Sequence, residues 1–142
     1  MQANVIILLI LTALLWGATP IMEKKGLETT SPIVGLAFRN LAIIICVFIT
    51  VLVMGKTKEL ISTPPKTMLL FAATGIIAGF LAMLTYFGAL KLGATSKIIP
   101  ISATYPLVTA LLGILILGEQ ATLFRILGAG LIIGGVWLVK IG

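Results

Sequence analysis

The sequence predicts an all-α integral membrane protein that crosses the bilayer five times. Three observations carry this. The 142 residues are 60% hydrophobic and only 10% charged, too few charges to cover a water-soluble domain. The apolar residues fall in long blocks: Met1 to Met22, Thr67 to Leu90 and Ile98 to Gly118 hold no charged side chain. Each block is close to the roughly 20 residues that cross a hydrocarbon core of about 30 Å. The segments between blocks are short and rich in helix breakers and caps.

Taken in order, the first helix is expected over Ala3 to Met22. It has no basic leader and no small-x-small cleavage site, and its apolar run exceeds a signal-peptide core, so it reads as retained. "EKKGLETTSP" then connects to a second helix over Ile33 to Met54, with Thr30 or Ser31 as cap and Pro32 in the first turn. "GKTKELISTPPK" follows, and its proline pair forbids helix there. The third helix covers Thr67 to Leu90, and Gly93 in "KLGATS" suits a left-handed stop. The fourth covers Ala94 to Leu117. Pro100 and Pro106 interrupt it, freeing the carbonyls of Ser96 and Ser102. Freed carbonyls in lipid need partners, so this helix is expected to face protein or a wet cavity. "GEQAT", with Thr122 as cap, leads to the fifth helix over Leu123 to Val139. Small-residue pairs four apart (Ala13 and Gly17, Gly75 and Gly79, Gly130 and Gly134) suit close helix packing. No linker is long enough for a second domain, so residues 1–142 read as one transmembrane domain.

The formal charge of +6 is spread over helix ends and loops, where basic residues meet headgroups; it is not a nucleic-acid signal. Cys46 is the single cysteine and reads as a packed or lipid-facing thiol. Histidine is absent, no carboxylate pair is embedded and no ligand cluster stands out, so an enzyme, a metal site and a cofactor are not expected.

Five crossings place the termini on opposite sides. Lys56, Lys58, Lys66 and Arg125 then share the N-terminal side, against Lys24, Lys25, Arg39, Lys91, Lys97 and Lys140 on the other. Orientation follows the excess of basic residues in cytoplasmic loops, and four against six is close to balance. A chain without a bias is able to insert both ways, and two copies of opposite orientation could pair as inverted repeats do within one transporter.

Several segments resemble one family. "LLWGATPIMEK" is similar to a Trp-Gly start with a lysine eight residues after the tryptophan: Trp16, Gly17 and Lys24. "SPIVGLAFRNLA" resembles a Ser-Pro opening with an arginine, here Arg39. "YFGALKLGATS" and "YPLVTALLGILILGEQATLFRILGAGLIIGGVWL" resemble the end of the third helix and the closing block, with Pro106, Gly118 and Glu119 in place. Together they resemble a single EamA domain of the drug/metabolite transporter superfamily, in its half-size, five-helix form. The resemblance implies one repeat of an inverted-repeat transporter, pairing as an antiparallel ten-helix dimer around a central cavity. The partner would be a second copy or a paralogue. It also implies movement of amino acids, other small metabolites or drugs across a prokaryotic plasma membrane.

The polar residues inside helices are the candidate binding or gating groups. Arg39 lies about 9 Å into its helix at 1.5 Å per residue, where a guanidinium either snorkels to the interface or faces the bundle interior. In the second case Asn40 or freed carbonyls would hold it. Lys24 ends the first helix and Lys97 starts the fourth, both on Arg39's side, so the three form a candidate cationic mouth. Lys97, Thr104 and Tyr105 share a face of the fourth helix that a cavity would use. Trp16 is too deep for the interfacial belt and reads as wall or packing. No Asp or Glu is expected deep in a helix: Glu23 and Glu28 fall in the first connection. A cavity with excess positive charge suits carboxylates or phosphates. The leading reading is therefore a secondary transporter of small metabolites. A small dual-topology anion channel and a non-transporting membrane subunit stand as the alternatives.

Overall fold

The computed structural model describes residues 3–142. They form helices joined by short turns, without strands among the described residues. Five helical stretches are long and apolar enough to cross a membrane: Ala3–Thr29, Pro32–Val53, Pro65–Leu92, Thr95–Leu117 and Leu123–Ile141.

The first stretch is one helix, α1 (Ala3–Thr29), and it corrects the expected boundary: the chain stays helical past Met22. The charged "EKK" is therefore part of α1 and not of a connection. Pro20 sits inside α1 and deprives the Trp16 carbonyl of its ordinary donor. The Thr19 hydroxyl takes that place, donating to Trp16 O at 3.0 Å, so the proline is accommodated without breaking the helix. Helix α2 (Pro32–Val53) starts as the sequence predicts. The Ser31 hydroxyl accepts from the Val34 amide and Pro32 occupies the first turn. Gly55, in the left-handed region with φ +65°, turns the chain away after α2.

A one-turn helix, α3 (Thr57–Ile61), follows. Here Lys56 donates to Glu59, and that hydrogen bond, with the adjacent carboxylate charge, holds the ammonium above its ordinary value. The pair is solvent-exposed and contributes little to stability. The third stretch is built from α4 (Pro65–Thr74), a wider π-helical segment (Gly75–Ala82) and α5 (Met83–Leu92). The Thr74 hydroxyl donates to Phe71 O and the Thr85 hydroxyl to Ala82 O, so one side-chain donor stands near each end of the π segment.

The chain divides into two compact units, one running to Leu92 and the other Gly93–Gly142. In the first, α5 packs on α1 and α2. The buried core lies at that end: Leu27 of α1, Leu36 of α2, and Phe87 and Leu90 of α5. A Cβ added at Gly35 would meet both Leu27 and Phe87 at 3.6 Å, so the absence of a side chain there brings α2 close to its two neighbours. Most other large apolar side chains are exposed on the helix surfaces, as in a protein whose solvent is lipid.

Two lysines cross-link the helix ends. Lys24 Nζ donates to the carbonyls of Leu90 at 2.7 Å and Lys91 at 3.1 Å, and Lys91 Nζ donates to Thr30 O at 2.6 Å. Each cation thus meets carbonyls at the C-terminal end of the other's helix, where the helix dipole is negative. Lys24→Met and Lys91→Met are each expected to cost about 1–2 kcal/mol, the worth of a charged cap. A lowered melting temperature in detergent, for either variant alone, checks this.

In the second unit, α6 (Thr95–Ser102) carries Pro100 inside it and ends before Ala103 and Thr104. Helix α7 (Tyr105–Leu117) restarts with Pro106 in its first turn. The Ser102 and Thr104 hydroxyls donate to the Ile99 and Ile101 carbonyls at 2.9 and 2.8 Å, supplying donors where the helix stops. Gly118, at φ +68°, closes α7, and the Glu119 amide donates back to Gly113 O. Thr122 caps α8 (Leu123–Ile141), and Arg125 pairs with Glu119 at 3.0 Å across the short turn.

Candidate functional site

Helices α1 and α2 form a hairpin whose connection is two residues long, Thr30 and Ser31. Residues at equal distance from that connection lie at similar depth. Glu23 is about two turns before the end of α1, and Arg39 about two turns after the start of α2, so each is roughly 9–10 Å along its helix from the turn. The two face each other: Arg39 Nε lies 3.9 Å from Glu23 Oε1. The carboxylate is the more enclosed partner, with 16% of its side chain exposed against 38% for Arg39. The Tyr86 hydroxyl of α5 faces the same carboxylate.

This triad answers why a guanidinium sits inside an apolar helix. An unpaired cation there is costly, and a carboxylate at the same depth offsets that cost. The sequence pattern pointed to freed carbonyls or Asn40 as partner. The partner is Glu23, and Asn40 is the half-buried next residue of α2.

Glu23 and Arg39 line an open groove of about 580 Å³. Its wall is mostly apolar, from Met22, Leu27, Phe38 and Phe87, with Thr19 and Thr30 adding hydroxyls and Gly26 and Gly35 bare backbone. The volume suits a small metabolite, and a few polar groups on an apolar wall is the usual composition of such sites.

The other candidates lie as follows. Lys24 points its ammonium at the α5 carbonyls and borders a smaller pocket with Leu27, Glu28 and Lys91. The groove beside Arg39 thus takes its positive charge from Arg39 alone among the described residues. Trp16 is on the exposed surface of α1, two thirds uncovered. Lys97 is exposed in the first turn of α6. Thr104 occupies the break between α6 and α7, with its hydroxyl on the Ile101 carbonyl, and Tyr105 is exposed at the start of α7. Pro100 and Pro106 flank that break.

Sequence reasoning missed Glu23 as a groove residue. The signal was there: counted from the turn at Ser31, Glu23 and Arg39 are nearly mirror positions.

Five apolar helices, with a charged pair within two of them, define a membrane protein. The profile of the EamA-like transporter family matches residues 3–141, and the chain belongs to that family, as a membrane transporter. It is 27% identical over 132 residues, 93% of each chain, to a Sinorhizobium sp protein described as an uncharacterized transporter in the cobO 3′ region. It is 30% identical over 136 residues, 96% of each chain, to the uncharacterized protein MJ1333.1 of Methanocaldococcus jannaschii. No solved structure matches the chain.

Proposed function

We propose that this protein is a secondary transporter that moves small metabolites with an anionic group, amino acids or organic anions, across a prokaryotic plasma membrane by alternating access. The carrying observation is Arg39 at the wall of a metabolite-sized groove inside membrane helices. An intramembrane guanidinium is rare, and its planar fork fits a carboxylate or phosphate. The bacterial and archaeal origin of the two relatives, and the word transporter in the description of the first, agree with this reading.

In this reading residues 1–142 act as one repeat. The functional unit is an antiparallel homodimer, or a pair with a paralogue, and each membrane face receives one Arg39 groove. Near-balanced basic residues support this, because nothing in the loops fixes one orientation. Asn40, Lys24 and Trp16 do not line this groove and would meet the substrate, in this reading, elsewhere on its route. Within the second unit, Lys97 and, at the break that Pro100 and Pro106 shape, Thr104 and Tyr105 are a separate set of candidate substrate contacts.

Uptake by proteoliposomes tests the function. A panel of amino acids, organic acids and phosphate compounds is expected to yield at least one saturable substrate, with excess unlabelled compound competing. Non-saturable ion conductance in its place would make the protein a channel. Reporter fusions at the C-terminus test the assembly. Both orientations are expected in one membrane, and a single orientation in cells with no paralogue would overturn the antiparallel dimer.

A further inference from the structure

We propose that Glu23 couples transport to protons: when an anionic substrate takes the Arg39 guanidinium, Glu23 gains a proton from water, and it loses that proton when the substrate leaves. The inference rests on the anion-binding reading of Arg39 above.

The argument is one of charge in a small, mostly apolar space. Among the described residues, Glu23 and Arg39 are the charged side chains that line the groove, so the empty groove is neutral. Helix α2 presents Arg39 to Glu23, and α5 presents Tyr86. On α1 itself the neighbouring Lys24 directs its ammonium to the Leu90 and Lys91 carbonyls, and Glu28 borders the smaller pocket on that side. A monovalent anion bound at Arg39 without other change would leave the groove one charge negative. It would also strip an enclosed carboxylate of its counter-ion, the costly half of a broken buried pair. One proton on Glu23 restores neutrality.

Tyr86 fits both states. A phenol facing the carboxylate is able to donate to its ionised form and to accept from the protonated acid. The carboxyl therefore keeps a partner when Arg39 is lent to the substrate. The proton comes from water on the side to which the groove is open. It returns to water when the anion leaves and the Glu23–Arg39 pair re-forms. Anion and proton travel in the same direction, one proton for each bound monovalent group, and no oxidant or other co-reactant is needed.

The test uses proteoliposomes of the full chain with a trapped pH-sensitive dye and an inward gradient of radiolabelled gluconate or inorganic phosphate. Both permeate lipid poorly, and protein-free vesicles give the leak. The readout is protons per anion, not rate. Wild type is expected to acidify the lumen at about one proton per gluconate. Glu23→Gln is expected to lower that ratio at least ten-fold at any residual rate, and Glu23→Asp to restore it. Unchanged acidification per anion in Glu23→Gln, or wild-type entry of these anions with no pH change, would overturn the proposal and leave anion transport standing. Failure of both anions to enter wild-type vesicles would overturn the anion reading of the site. The wild-type ratio alone decides if Glu23→Gln does not fold.

Discussion

Arg39→Gln is expected to reduce transport on the order of 100-fold while the protein still inserts and purifies. The expectation follows from the groove. Arg39 is the positive group there, and glutamine offers a substrate carboxylate neither charge nor a bidentate fork. The variant also leaves Glu23 facing no counter-ion. Breaking a fully buried pair costs about 3–5 kcal/mol, but Arg39 is more than a third exposed, so water at the groove mouth screens the loss to about 1–2 kcal/mol. Adding Glu23→Gln is therefore expected to recover stability without recovering transport, a non-additivity that a double-mutant cycle measures directly. Arg39→Lys separates site from anchor. A snorkelling anchor tolerates lysine at wild-type turnover. A residue that grips an anion by its fork loses at least ten-fold, because an ammonium is a point charge with different reach. Uptake normalised to inserted protein decides between them.

Phe87→Ala carries the largest expected loss of stability. Phe87 is 3% exposed and touches the close approach of α2 at Gly35 while forming part of the groove wall. Truncating a buried phenylalanine costs about 3–5 kcal/mol in water-soluble cores. Lipid is as apolar as the core, so the transfer share shrinks and the lost packing remains. About 2–3 kcal/mol is expected, together with weaker substrate binding through a widened groove. Phe87→Leu, which keeps most of the volume, is expected to lose less than half as much. Denaturant titration in mixed micelles provides the measurement.

Much of this fold is legible in the sequence because lipid imposes a simple rule: every backbone group must pair within its own helix, so long apolar blocks have one outcome. The Ser31–Pro32 start of α2 and the Thr122 cap of α8 follow from local chemistry alone. The end of α1 did not. "EKKGLE" reads as an interfacial loop by charge, yet it is helical, and two of its four charges have partners elsewhere in the chain: Glu23 on Arg39 and Lys24 on α5 carbonyls. Tertiary contacts between distant segments overrule a local polarity signal there, and a single sequence does not display them. The carboxylate side of the site follows only once α1 is known to continue to Thr29, because the mirror spacing of Glu23 and Arg39 about Ser31 has meaning only in a helical hairpin. The π-helical segment Gly75–Ala82 also went unread, because its glycine pair looks the same as an ordinary packing motif.

The crossed lysine caps bear on how the chain is made. Lys24 emerges from the ribosome early, and its acceptors are the carbonyls 66 and 67 residues later. The end of α1 in turn waits for Lys91, 61 residues after Thr30. The first hairpin therefore enters the bilayer before the α5 carbonyls that accept from Lys24, and the Lys91 ammonium that donates to the carbonyl after α1, have been made. Insertion of this half of the protein is thus expected to lock only when the third crossing is complete. A ribosome stalled before Leu90 should leave a hairpin that alkaline extraction or a protease removes more readily than one stalled a few residues past Lys91.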